Sequence, residues 1–230
     1  MRNDLGSDAE VLASEHVLVR DGQRYAFFHE AFFDYAFARL WLDLDQSLVD
    51  FLLDDEQELF RRAQVRQILL QIRDDDPERF IRETEAVLSH PKIRFHIKAV
   101  ALAVLRSLPN PTKAEWQMIE QLMSPAEPLT PHLWATVNAV AWFDRLDAEG
   151  AVAHRLASSD LTTYERVMLA IVESTKLRAD RMAQLIAPYA GTNPQYPNWL
   201  AWITRFADVH TSLNESGSTG LVTVRAGAGF

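Results

Sequence analysis

Apolar positions alternate with polar ones over a short stretch near the start of the chain. The spacing then becomes helical and stays so to about residue 210. In "HVLVRDGQRYAFFH" (16–29), two short runs, Val17–Arg20 and Arg24–Phe28, flank "DGQ", where Asp-Gly favours a tight hairpin turn. Ahead of them "SDAEVLAS" predicts a short helix capped by Ser7 or Asp8. Residues 30–43 are apolar nearly all round, which predicts a helix buried on most sides. The rings of Phe27, Phe28, Phe32, Phe33, Tyr35, Phe37 and Trp41 accordingly read as core. A short helix is expected over 46–53. A clearer amphipath follows at 56–73, with Leu59, Val65, Leu69 and Ile72 on one side and Arg62, Arg66 and Arg73 on another.

The same spacing predicts helices near 77–89, 92–107, 112–123, 130–146, 148–157, 161–175, 178–189 and 196–210. Prolines fall at or near the breaks, where a helix tolerates them. The fold class expected is all-α: an irregular α-solenoid of HEAT-like antiparallel helix pairs behind a short amino-terminal β-hairpin wing. No fixed sequence period accompanies it. A short helix followed by a two-stranded wing is the closing part of a winged-helix unit. The expected organisation is therefore residues 1–45 as the end of such a unit, 46–212 as helical repeats, and 213–230, Gly/Ser/Thr-rich, as a flexible tail.

Composition narrows the chemistry. A chain of 230 residues, 48% apolar, has enough material for a core. Its net charge of −9 gives no general attraction to nucleic acid or an anionic membrane, so nucleic acid is an improbable partner. There is no cysteine, which removes disulfides, thiolate catalysis and cysteine-ligated zinc. No apolar run approaches the roughly 20 residues of a membrane span. A soluble, cytoplasmic protein is the expectation.

"RYAFFHEAFFDYAFARLWL" (24–42) resembles the end of the winged-helix domain of STAND-type NTPases, including the NACHT ATPases of immune receptors and bacterial antiviral proteins. Their pattern is approximately aromatic-x-Phe-x-His-x-x-Phe-x-(Asp/Glu)-(Tyr/Phe)-x-x-Ala. Here it reads Tyr25, Phe27, His29, Phe32, Asp34, Tyr35 and Ala38. "LFRRAQVRQILLQIRD" and "IRFHIKAVALAVL" are similar to the repeats that follow, so the resemblance spans roughly residues 8 to 110. It implies a regulatory region in antiviral defence or signalling, and it places His29 near the phosphates of ADP in an inactive state. The chain departs from the family in having no G-x-x-x-x-G-K-[ST] phosphate loop. ATP or ADP would thus be a cofactor of a full-length protein and not of this chain, which reads as a carboxy-terminal piece.

Without the resemblance, His29 reads as a packed or helix-capping residue. Arg61, Arg62, Arg66 and Arg73, with Lys92, Arg94, His96 and Lys98 of "KIRFHIK", read either as a solvated face or as a site for an acidic partner. Trp199 and Trp202, three apart, offer an aromatic edge to a partner. No His-Glu-x-x-His, EF-hand spacing, G-x-S-x-G elbow or isolated carboxylate pair is present, so no metal and no catalytic residue is assigned. Two functions stand. One is a non-catalytic sensor region that binds a protein trigger or packs on its own upstream ATPase domain. The other is a free-standing helical scaffold for a peptide or protein.

Overall fold

The hairpin forms where alternation puts it. β1 (Leu18–Asp21) pairs antiparallel with β2 (Arg24–Phe27), with Leu18 opposite Phe27 and Asp21 opposite Arg24. That register leaves a two-residue turn that Gly22 enters at φ +62°, a conformation only glycine adopts readily. The computed structural model describes residues 5–22, 24–44, 46–123, 128–157, 178, 180–182 and 184–185. α1 (Leu5–Ser14) begins ahead of Ser7 and Asp8, so both lie within the helix and neither caps it. Arg20 of β1 and Tyr25 of β2 donate to the Glu10 carboxylate of α1 at 2.9 and 3.0 Å.

The chain divides into two compact units, residues 1–104 and 105–230. In the first, α2 (Glu30–Leu42) follows the hairpin, then α3 (Leu48–Leu53), α4 (Arg61–Asp75), α5 (Pro77–Ser89) and α6 (Phe95–Arg106), whose last two residues fall past the boundary. α4 packs on both α2 and α5, and it buries Val65, Ile68, Leu69 and Ile72 at i, i+3, i+4 and i+7, about two helical turns. Asp76 caps α5 by accepting from the Arg79 N–H, and Pro77 stands in its first turn, where no amide donor is needed. α4 starts five residues later than its periodicity suggests. The Gln57 amide is buried against the 90–94 loop, donating to the Lys92 carbonyl at 3.0 Å and accepting from the Arg94 N–H at 2.7 Å. This holds 57–60 off the helix and leaves Leu59, expected in the core, 69% exposed.

The second unit holds α7 (Lys113–Leu122), α8 (Thr130–Val137), α9 (Val140–Ala148) and α10 (Ala151–Leu156), with further helical residues among 178–185. A single helix over 130–146 is not what forms. The chain breaks at Ala139, whose backbone is extended at ψ 145°, and α9 restarts beyond it. The restart seats Trp142 and Phe143 in the core, where the Trp142 Nε1–H donates to the Leu105 carbonyl at 2.7 Å. Burying such a ring removes roughly 150–250 Å² from water, a gross gain of about 4–6 kcal/mol. Gly150, at φ +71°, separates α9 from α10 and moves that helix's start from 148 to 151. The helices expected at 161–175 and 196–210, and the tail at 213–230, lie outside the described residues.

The fold is all-α with a short hairpin, as the pattern predicts. A repeat invisible in residue identity appears in the polar contacts between elements. In the first unit Arg39 meets Asp75, the Leu48 N–H meets Glu83, and Arg79 donates to the carbonyls of Leu42, Leu44 and Gln46. In the second, Arg145 reaches the Pro111 carbonyl, Lys113 pairs with Glu149, Arg155 with Glu120, Arg178 with Asp144 and Arg181 with Asp147. These contacts span 33 to 37 residues. Within each unit these contacts tie later helices to earlier ones at a near-constant separation, which is how tandem helical repeats hold together.

Candidate functional site

His29 sits at the junction of hairpin and helix as the N-cap of α2. Its backbone is extended (φ −126°, ψ 134°), and its Nδ1 accepts from the Ala31 N–H at a long 3.4 Å. The ring stands edge-on to Phe32, with centroids 6.5 Å apart, and the residue is exposed. Here the histidine does what an Asn or Ser does at other helix starts: it satisfies an amide with no partner inside the helix.

The helix beyond it is not buried on most sides. Only Asp34, Ala38 and Trp41 are buried, on the side of α2 that packs toward α4. Phe33 lies between Phe27 and Phe37, at 6.0 and 6.1 Å, and Phe37 continues to Phe51 at 5.6 Å, so this edge joins the core. The opposite side does not. Phe32 and Tyr35 lie there one turn apart, with Tyr35 55% exposed; Leu40 further along the helix is 69% exposed, and Phe28 just before it 63%. The rings of Phe28, Phe32 and Tyr35, expected in the core, therefore form an apolar surface, and Phe33, also expected there, is 44% exposed at its edge. All-round hydrophobicity predicts burial on all sides only when neighbours exist on all sides. Among the described residues α4 packs on one side, and the hairpin and α3 reach only the Phe33–Phe37 edge.

Charge around this surface is one-sided. Between residues 5 and 44, seven carboxylates stand against three arginines. Arg20 is spent on Glu10 and Arg39 on Asp75. Asp34 is 8% exposed, and no hydrogen bond or ion pair reaches it among the described residues. Its carboxyl is held above the ordinary aspartate range, chiefly by burial and secondly by Glu30 one turn earlier.

The other candidates separate. Arg62 and Arg66 lie one turn apart on α4, both exposed, and no acidic partner reaches either among the described residues. Arg73, on the same line of the helix, is half-buried and engaged. Arg61 is structural: its guanidinium lies 4.4 Å from the Phe51 ring centre and bonds Asp55. Trp199 and Trp202 lie outside the described residues. Trp116, Trp134 and Trp142 are core.

In the second unit a cleft of about 370 Å³ is lined by Lys113, Trp116, Glu120, Glu149, His154 and Arg155. Its charges largely satisfy one another: Lys113 bonds Glu149 at 3.0 Å, and Arg155 bonds Glu120 at 2.6 Å while lying over the Trp116 ring. Glu149 is held below the ordinary glutamate range, foremost by its bond to Lys113. Among the described residues no group of three His, Asp or Glu side chains is placed to hold a metal ion, and no helix is long and apolar enough to cross a membrane. No protein-family model matches the chain, no curated protein matches it, and no solved structure matches it.

Proposed function

We propose that this chain is a non-catalytic regulatory region of a STAND-like NTPase, acting through contact with a nucleotide-binding domain or a protein trigger, in defence or signalling. The observation that carries the reading is the aromatic outer face of α2, set immediately behind a hairpin and a capping histidine. A helix that leaves Phe28, Phe32 and Tyr35 in water has the surface of an interface. The order of hairpin, His29, α2 and then helix pairs agrees with the resemblance carried by residues 24–42. On this reading α2 and the hairpin form the hinge, and the helix pairs bias the nucleotide domain toward its closed state until a ligand shifts the balance.

The test begins with the coding sequence upstream of Met1. An in-frame phosphate-binding loop supports the reading, and its absence from the gene sinks it. With such a domain present, purified protein is expected to retain ADP. His29→Asn, which keeps a good N-cap, is expected to lose retained ADP without losing thermal stability. Retention unchanged in His29→Asn limits the histidine to capping.

A second reading, a free-standing scaffold that binds a peptide or protein, is favoured by the regular 33–37-residue ties between helix pairs, which need no further domain to form.

A further inference from the structure

We infer that the 90–94 loop is an acid-sensitive clasp: with His90 and His96 neutral it holds the segment before α4 against the start of α6, and protonation of these imidazoles opens it. The inference concerns the first unit alone and stands apart from the STAND reading.

The clasp closes on a buried amide. Gln57 is 8% exposed, and its side chain donates to the Lys92 carbonyl at 3.0 Å and accepts from the Arg94 N–H at 2.7 Å. Ile93, between those two residues, is buried. The loop is held in the shape that fits Gln57 by bonds of its own. His90 is the C-cap of α5; its Nδ1 accepts from the Lys92 N–H at 3.2 Å, and its carbonyl accepts from the Ile93 N–H at 3.3 Å. Only a neutral imidazole has a nitrogen that accepts. A proton on Nδ1 sets two donors against each other and leaves the Lys92 N–H without that partner.

His96 makes a second, independent demand for neutrality. It lies in the first turn of α6, and its Nε2 is cut off from solvent with no hydrogen-bond partner among the described residues. A charge there is desolvated and stands at the positive end of a helix dipole. Lys92, Arg94 and Lys98 add like charge along the same stretch. From the segment facing it, Arg61 is paired with Asp55, while Glu56 and Glu58 flank Gln57 and are exposed. Glu85 stands near the end of α5. These carboxylates soften an added charge, but they do not restore an acceptor to the Lys92 N–H. The carboxyl end of α5 attracts a cation whether the clasp is open or closed, so it does not decide between the two. The closed clasp excludes a proton that the open loop accepts, and acid therefore favours opening. Histidine changes charge between about pH 5 and 8, so both demands fail over one range.

The test is hydrogen exchange of the full chain at about pH 7.5 and 5.5, corrected for intrinsic exchange rates. Protection at 57–60 and 90–97 is expected to fall at least about tenfold in acid, with α9 and α10 unchanged. His90→Asn with His96→Leu should abolish the fall, because asparagine offers the same amide an oxygen that does not titrate and leucine leaves no nitrogen to charge. A wild-type clasp equally protected at both pH values overturns the proposal. So does a fall of the same size in the double variant, or a fall shared by all the described helices, which is acid unfolding of the whole chain. A measurement on the unsubstituted chain guards against a variant that folds poorly. In an NMR titration the Gln57 side-chain amide and the Arg94 N–H are expected to shift with the same midpoint as the His90 or His96 ring. Signals that stay still, or that follow neither ring, overturn the clasp.

Discussion

Arg79 shows how much a single side chain organises here. It stands in the first turn of α5 and is mostly buried. Its guanidinium donates to three backbone carbonyls, Leu42 at 3.1 Å, Leu44 at 3.1 Å and Gln46 at 3.2 Å, and lies 4.7 Å from the Trp41 ring centre. Those carbonyls belong to the link after α2, which has no helical ladder to satisfy them. Only a planar fork can serve three acceptors and a ring face together, so a lysine is no substitute. Arg79→Lys is expected to cost about 2–3 kcal/mol in urea unfolding, from lost charged hydrogen bonds and orphaned carbonyls. A cost below about 0.5 kcal/mol would show that water satisfies the link as well as the arginine does. Nothing in "PERFIRE" marks Arg79 above Arg82 three residues on. The difference is position relative to a loop 33 to 37 residues earlier, which local periodicity does not encode.

At the scale of one helix, α2 shows what local pattern conveys and what it omits. Its existence, its limits and its hairpin neighbour were all legible: strand alternation ends at Phe28, and the helix begins one residue after His29. Which side is buried was not legible, because rings occupy both sides and only the packing of α4 selects among them. The selected side includes a carboxylate, Asp34, and leaves Phe32 and Tyr35 outside, the reverse of what side-chain hydrophobicity favours. The same limit applies to the break at Ala139 and the late start of α4, where tertiary contacts through Trp142 and Gln57 override helical spacing. Asp34 gives this arrangement a pH signature. Its folded pKa lies above the ordinary 3.8, so the folded state holds its proton more tightly than the unfolded chain does. Above the raised value the ionised carboxylate therefore costs stability, and the cost vanishes as pH falls toward the unfolded value. Asp34→Asn is expected to raise the melting temperature at pH 7, with the gain shrinking to nothing below about pH 4. A variant less stable at pH 7 would mean that Asp34 has a cationic partner in solution, contrary to the geometry.

Across the described residues, the polar ties between elements lie within each unit and are short in reach. Among the described residues the polar ties between helix pairs span 33 to 37 residues, and α6 carries the chain across the boundary between the units. In such an array stability is nearly a sum of each pair's own stability and its contact with the next, so damage spreads locally. Trp142 is the place to test this. It is fully buried, and its indole N–H holds the Leu105 carbonyl at 2.7 Å, just past the boundary between units. Trp142→Ala removes a large ring and leaves the Leu105 carbonyl only the Leu108 N–H at 3.2 Å, a loss of about 3–5 kcal/mol, most of it from the cavity. Hydrogen exchange followed by mass spectrometry is expected to show faster exchange in α7, α9 and α10, with α4 and α5 close to wild type. Arg79→Lys should give the mirror result, with protection falling in α4 and α5 and holding in α9. Equal loss throughout the described helices in either variant would mean that the 230 residues unfold as one cooperative body. A ligand on α2 would then be felt at the far end of the chain, through a coupling that these 33- to 37-residue ties do not by themselves provide.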